Sequence, residues 1–359
     1  MTVWSQIYDN LWKFRAGFIR AGQVALQRRA FDNLLDAIAR FVRMRQQQFF
    51  GVDMSIALVI PDRKLDQLQQ KLQQQLPGVA IEIWPQITDP KAVTMAVLWR
   101  QPPGCLADMS NLRALQSFGA GVDNILVDTT LPDLPLARIV DPMLTQSMLQ
   151  YLQGVVQHYQ LRLDEFSAQQ RKQIWKARSP RKLEHICVLG LGELGQAAAS
   201  HFAGLGVAVS GWSASPKTLA GVQCFAGDAA FADAVREADL VICLLPLTAQ
   251  TENLLNQQRL SLLKPGVILV NVARGAIVDD LALLQNLDCG HIAAACLDVF
   301  RIEPLPSEHP FWQHPSILLT PHISAVTNAD TAVAQIAENY RRSLAGLPLQ
   351  NLVCQQRGY

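Results

Sequence analysis

From residue 54 onward, short apolar runs alternate with segments of helical periodicity. Ile56-Ala57-Leu58-Val59-Ile60 carries no polar interruption, the pattern of a strand covered on both faces. A polar helix pattern follows over 64–75, its glutamine-rich stretch read as a solvated face. Further strands are read at 79–84, 92–99, 114–118 and 136–140. Residues 143–163 then read as one long helix leading out of the first domain. Beyond it come strands at 183–189, 207–212, 240–245, 267–272, 291–297 and 317–320, with a helix over 193–205 after the first. A final helix pattern over 328–344 is expected to pack back on the first domain. Short apolar strands separated by helices predict α/β architecture with two parallel, doubly wound sheets. The expected division is a substrate domain from 54–150 and 326–359, and a dinucleotide-binding domain over 151–325.

Residues 1–53 follow a different pattern. Trp4, Ile7, Tyr8, Leu11, Trp12, Phe18 and Ile19 recur at helical spacing, as do Leu34, Leu35, Ile38, Phe41 and Val42. Seven arginines face four aspartates there. A basic amphipathic segment suits a membrane surface or a transit peptide. The reading preferred is a helical extension outside the fold, because the first domain strand opens directly after Met54.

Composition narrows the classes. At 359 residues, half of them apolar, the chain is long enough for two cores. A net charge of +1 gives no general attraction to nucleic acid or anionic membrane. No apolar run is long enough to span a bilayer. The seven cysteines are scattered, without a C-x-x-C pair, and several lie in apolar stretches. They are read as reduced core thiols of a cytoplasmic protein, with no metal site.

Two sets of residues carry chemistry. Gly190-Leu191-Gly192-Glu193-Leu194-Gly195 follows a strand and opens a helix, the context a dinucleotide loop requires. Gly190 permits the tight turn, Gly192 clears the approach of a pyrophosphate, and Gly195 lets helix and strand pack closely. The helix start at Glu193 and Leu194 presents N–H groups to the phosphates. The alternative is an ordinary glycine-rich turn. At the end of the next strand, Gly211-Trp212-Ser213-Ala214-Ser215-Pro216-Lys217 lacks the acid that usually holds the ribose hydroxyls of NAD. Ser213, Ser215 and Lys217 suit a 2′-phosphate, so NADPH is expected over NADH. His185, at the polar start of its strand, is read as structural.

Downstream lie Arg274, Glu303 and His322, each in its own short motif near a strand end. A guanidinium there can fork onto a carboxylate and polarise the neighbouring carbonyl. A histidine can give a proton to the carbonyl oxygen as hydride arrives at carbon. A carboxylate bonded to the imidazole fixes its tautomer and favours its protonated form. The bland alternatives are a loop arginine, a structural histidine, and a loop acid paired with Arg301. Successive N–H groups at Gly119, Ala120 and Gly121 form a second candidate anion site. Trp99 is either a pocket wall or a core residue.

Five segments in order resemble the D-2-hydroxyacid dehydrogenase family: the glycine loop, Leu245-Pro246-Leu247-Thr248, Asn271 to Gly275, Asp298 to Pro304, and Thr320-Pro321-His322. Trp99-Arg100-Gln101-Pro102-Pro103, Phe118-Gly119-Ala120-Gly121-Val122-Asp123, Trp312-Gln313-His314-Pro315 and Arg357-Gly358-Tyr359 resemble the branch of that family acting on glyoxylate and hydroxypyruvate. The resemblance implies a flavodoxin-like substrate domain beside a Rossmann domain, a homodimer, and NADPH-dependent reduction of small 2-oxo acids. It implies catalytic roles for Arg274, Glu303 and His322. It also implies a substrate carboxylate near the 119–121 backbone, and cofactor contacts at Leu245, Pro246, Ala273 and Asp298. Ala214 and Asn328 depart from the pattern, since members of this type often carry arginine at both. Two rivals remain: a dinucleotide-sensing regulatory protein of the same fold, and a dehydrogenase for another 2-hydroxy acid.

Overall fold

The apolar run at Ser55 forms β1 (Ser55–Val59), with all five residues buried. The computed structural model describes residues 54–358 apart from 62, 326, 327, 355 and 356. The helical pattern read in 1–53 lies outside the described residues. Ser55–Tyr359 forms one continuous unit of contacts, and within it two lobes are each built on their own sheet.

The first lobe holds β1, α1 (Asp66–Gln75), β2 (Ala80–Ile83), β3 (Val93–Leu98), β4 (Ala114–Ser117), the short α2 (Asp123–Leu126) and β5 (Leu136–Ala137). α3 (Pro142–Gln160) and α4 (Leu163–Arg171) lead onward. The second lobe holds β6 (His185–Leu189), α5 (Glu193–Gly204), β7 (Ala208–Ser213), β8 (Val222–Ala226), α6 (Phe231–Val235), β9 (Leu240–Cys243), α7 (Gln257–Leu260), β10 (Val267–Asn271), α8 (Asp280–Asp288), β11 (Ile292–Leu297) and β12 (Ile317–Leu319). α9 (Ala329–Leu344) follows and packs against α1 and β4.

Both sheets are parallel throughout. The first runs β2-β1-β3-β4-β5, the flavodoxin-like order, and the second runs β12-β11-β10-β9-β6-β7-β8, the doubly wound dinucleotide order with one further strand. In each sheet the chain reverses its direction of winding beside the first strand, and such a switch point opens a crevice at the carboxyl ends of the strands. Each sheet is covered on both faces by separate apolar clusters, which accounts for the uninterrupted apolar runs. In the first lobe, Ile336 and Tyr340 of α9 bury against Ile56 and Leu58. The buried Asn339 donates to Gln116 Oε1 at 2.8 Å, giving a polar link through that core.

Three expectations need correction. The helix read over 143–163 ends at Gln160, because Arg162 adopts a left-handed φ of 58° before α4 begins. Asp141 fixes its start by accepting from the Met143 N–H at 2.9 Å, with Pro142 in the first turn. Secondly, β8 was not anticipated; none of its residues is fully buried at the sheet edge, and Gln223 is exposed. Thirdly, the cysteines are not all core thiols: Cys187, Cys243 and Cys296 are buried, whereas Cys289 and Cys354 are exposed. His185 bonds Ser210 Oγ at 3.0 Å within the β6–β7 layer. Among the described residues no helix is long and apolar enough to cross a membrane, and no cluster of metal-ligating side chains occurs.

Candidate active site

The loops after β10, β11 and β12 come together at the carboxyl ends of their strands. Asn271 shapes the first of them: its Oδ1 accepts from Ala273 N–H at 3.1 Å and its Nδ2 donates to Arg274 O at 3.0 Å. Gly275 lets this loop lie directly on the next one. A Cβ there would stand 2.0 Å from the Phe300 carbonyl carbon. Phe300 N–H in turn donates to Glu303 Oε1 at 3.0 Å. Packing between backbones thus fixes the spacing of Arg274 and Glu303.

Glu303 Oε2 lies 2.8 Å from His322 Nδ1. That engages one ring nitrogen and leaves Nε2 to face a reacting group. Burial pushes the Glu303 carboxyl up, but bonds from His322 and the Phe300 N–H outweigh it, with Arg100 adding to the pull. The net result is a fall to about 2. Glu303 is therefore an anion at neutral pH. Its partner is not Arg301, which turns instead to Asn253 and the Val278 carbonyl.

His322 is held in a left-handed turn, φ 54°, a conformation that costs a non-glycine residue about 1–2 kcal/mol. The fully buried Asp298 holds this turn in place. Its Oδ1 accepts from Thr320 Oγ1 at 2.6 Å and Ile323 N–H at 2.9 Å, and its Oδ2 from Ser324 N–H at 2.8 Å. Bonds to a charged acceptor contribute ~1.5–3 kcal/mol each, enough to offset the turn's strain. Tyr151 Oη reaches Thr320 Oγ1 at 2.6 Å from α3. The resemblance suggested Asp298 for cofactor contact; the carboxylate is engaged in shaping the histidine loop. Tyr151 was missed altogether, and Thr320 was read only as part of the Thr320-Pro321-His322 motif, with no role of its own.

From the first lobe, the 119–121 turn lies against Arg274. A Cβ on Gly121 would stand 1.8 Å from Arg274 Nη2, so any side chain there would displace the guanidinium from this position. The expected nest of three N–H groups is smaller, because Gly119 N–H is taken by Ser117 Oγ at 3.1 Å. Ala120 and Gly121 remain to offer theirs. Trp99 is half-buried, its ring so close to Gly119 that a Cβ there would stand 2.3 Å from Cζ3. Trp99 also packs against the first lobe's core, and Arg63 lies 5.6 Å from the Trp99 and the Phe118 ring centroids. Asp123, in α2, holds Arg274 through Nε at 3.0 Å from both carboxylate oxygens. Sequence reasoning assigned Asp123 no role.

The glycine loop fits a dinucleotide. Gly190 adopts φ +100°, and a Cβ on Gly195 would stand 1.7 Å from the Gly190 carbonyl oxygen. Gly192 caps α5 without a side-chain acceptor, and a Cβ there would meet nothing within 4 Å. The first turn, Glu193 and Leu194 included, therefore presents its N–H groups to whatever lies in front of the helix. Leu245 and Ala273 are buried and Pro246 half-buried at the ends of β9 and β10. At the end of β7, Ser213 Oγ donates to the Ser215 carbonyl at 2.8 Å, turning the chain so that Ser215 and Lys217 stand exposed.

Comparison with known proteins identifies the family. Residues 154–324 match the NAD binding domain of D-isomer specific 2-hydroxyacid dehydrogenases. A glyoxylate/hydroxypyruvate reductase A of Serratia proteamaculans (strain 568) is 41% identical over 299 residues, 80% of this chain and 94% of that protein. The chain belongs to the D-isomer specific 2-hydroxyacid dehydrogenase family. Among solved members, one from Xanthobacter autotrophicus Py2 in complex with NADPH and MES shares 38% identity at a TM-score of 0.82, covering 86% of this chain and 100% of that one. An NADPH-dependent glyoxylate/hydroxypyruvate reductase from Sinorhizobium meliloti, in complex with NADP and sulfate, shares 28% identity at a TM-score of 0.80, covering 85% and 100%. For a dehydrogenase of this family, the assembled loops supply a cation, an imidazole and its carboxylate beside a dinucleotide cradle.

Proposed function

We propose that the chain reduces small 2-oxo acids with NADPH, taking glyoxylate to glycolate and hydroxypyruvate to glycerate. The observation that carries this reading is the 2.8 Å Glu303–His322 bond, standing beside Arg274 where Gly121 brings the first lobe against it. Bound nicotinamide supplies the hydride to C2 of the substrate. Arg274, with the Ala120 and Gly121 N–H groups, holds the substrate carboxylate and orients the carbonyl. His322 gives its proton from Nε2 to the carbonyl oxygen, so that no free alkoxide forms. Glu303 keeps the ring turned and stabilises its charged form until then. The 2-oxo acid takes up one hydride and one proton to become the 2-hydroxy acid, and His322 regains its proton from solvent.

Support for NADPH comes from the acid-free end of β7 and from the two solved relatives with NADPH or NADP. The name of the Serratia relative supports the two acids. A homodimer belongs to the same reading: Trp175 is fully exposed and Ile174 half-exposed just beyond α4, an apolar patch that a second copy would cover. The free thiols suit a cytoplasmic location. An assembled dyad favours an enzyme over a dinucleotide sensor, which has no need of one. The test is NADPH oxidation with glyoxylate, hydroxypyruvate, pyruvate and phenylpyruvate, on wild type and His322→Ala. Turnover of the two small acids and its loss in the variant is expected; turnover of none of the four would overturn the reading.

A further inference from the structure

The two lobes are tied together by two ion pairs of opposite sense. From the first lobe, Arg100 Nη2 donates to Glu303 Oε2 at 2.9 Å. From the second, Arg274 Nη2 donates to Asp123 Oδ1 at 2.9 Å, beside the Nε bonds already described. Each lobe gives one cation and one anion, and each pair joins one of the three chemistry-bearing residues to a partner outside them. The partners lie 203 and 151 residues apart in the chain.

Arg100 is built for this reach. It follows β3 in a left-handed conformation, φ 48°. Its neighbours are anchored on both sides: Trp99 N–H donates to Val59 O at 3.1 Å, and the buried Gln101 donates to Ile125 O at 3.2 Å. Between them Arg100 leaves the first lobe and bonds the same oxygen, Oε2, that receives His322 Nδ1. A carboxylate oxygen shared with a guanidinium stabilises an imidazolium less than one that serves the ring alone. The other charges around the dyad are engaged elsewhere. Asp298 holds the histidine loop, Arg301 turns to Asn253 with Glu252 nearby, and Arg274 is bound to Asp123. Among the described residues, Arg100 is the cation bonded to the dyad.

We propose that Arg100 is a positioning residue that ties proton delivery by His322 to closure of the two lobes, with Asp123 on Arg274 as the reciprocal tie beside the substrate anion. The inference rests on the reading of His322 as the proton donor. With the lobes together, Arg100 draws on Glu303 and the ring releases its proton readily. With the lobes apart, Glu303 serves the ring alone and holds it charged for the next substrate. Proton transfer is thereby favoured only when the site is shut.

The test compares pH profiles of kcat and kcat/KM for glyoxylate, at saturating NADPH, in wild type, Arg100→Met, Arg100→Lys and His322→Ala. Arg100→Met is expected to lower kcat about tenfold, a part of the ~10²–10⁴-fold that a positioned proton donor contributes. It is also expected to move the alkaline limb upward, because the cation on the Glu303 oxygen that serves the ring has gone. KM should change less than kcat, and Arg100→Lys should return the limb most of the way. Activity lost with an unmoved limb would assign Arg100 a merely structural part and overturn the proposal. So would a kcat within about twofold of wild type and an unmoved limb. If His322→Ala keeps full turnover, the proton-donor reading fails first and this inference falls with it. If His322→Ala is inactive and the Arg100 limb is unmoved, the inference fails alone.

Discussion

The two lobes meet at one cleft with different means. In the second lobe the proposed reacting groups are side chains at strand ends, Arg274 after β10, Glu303 after β11 and His322 after β12, in loops fixed by hydrogen bonds within that lobe. In the first lobe the facing surface is the 119–121 backbone, with Trp99 behind it and two charges, Arg100 and Asp123, reaching across. The second lobe holds a nearly complete acid–base device next to its cofactor cradle. The first lobe supplies the proposed anion seat and one member of each of the two ion pairs across the cleft. The lesson is a division of labour: the candidate acid–base residues stand on the cofactor-binding lobe, and their ion-pair partners and the candidate anion seat stand on the other.

The largest effects should come from the second lobe. His322→Ala is expected to lower kcat by about 10³-fold with the fold intact, since the ring's proton has no substitute nearby. Steady-state NADPH oxidation, with thermal unfolding as the control, measures it. A loss under about tenfold would break the comparison, because the device would then lie elsewhere.

Next comes the first lobe's backbone. Gly121→Ala places a methyl where Arg274 Nη2 lies, and either the guanidinium or the turn must shift. Displacement of the substrate's anchor by about 1 Å costs on the order of 10²-fold in kcat/KM. Ala120→Gly, which adds no atom and keeps the N–H, should stay near wild type. Equal losses in the two variants would mean that turn flexibility, and not the close approach, is what matters.

A smaller effect is a pH dependence of stability. Glu303 titrates at about 2 in the folded protein against an ordinary value of 4.5. A depressed folded value means stability that is fully present above the ordinary value and drains away as pH falls from about 4.5 towards 2. Wild type should therefore unfold at a higher temperature than Glu303→Gln at pH 7, and the gap should narrow below about pH 4.5. Paired melting curves at pH 7, 5 and 3 check the sign. A gap that widens on acidification would show the carboxylate to be a burden on the fold, carried for chemistry alone.

How much of this was legible in the sequence also differs between the lobes. The strand, glycine loop and helix at 185–204 are contiguous, and Gly190 and Gly195 each have a local steric reason, so the loop is legible from spacing alone. Arg274, Glu303 and His322 stand near strand ends that apolar runs already mark. The helix break at Arg162 was illegible because Leu161-Arg162-Leu163 carries no glycine or proline. β8 was missed because Val222-Gln223-Cys224-Phe225-Ala226 lies at an edge, and its burial shows no clean alternation. Arg100 and Asp123 sat inside recognised motifs, yet their partners lie in the other lobe. A long-range ion pair leaves no local pattern. Asp298 shows the converse: its motif was visible, but its bonds to the histidine loop depend on how that loop folds back.

The smallest expected effect lies furthest from the cleft, at the end of β7. Ser213 is buried and its hydroxyl is used on the Ser215 carbonyl, so its part is to set the turn. Lys217 is exposed, and an exposed charge contributes little in water. Its attraction for a 2′-phosphate should therefore be worth ~0.5–1 kcal/mol, or about two- to fivefold in the KM ratio of NADH to NADPH. Lys217→Ala should lower the preference by that factor with kcat unchanged, and the difference should shrink as salt is raised from 50 mM to about 0.5 M. A Lys217→Ala variant that loses kcat as well would connect this edge of the second lobe to hydride transfer, and would place part of the chemistry outside the three loops.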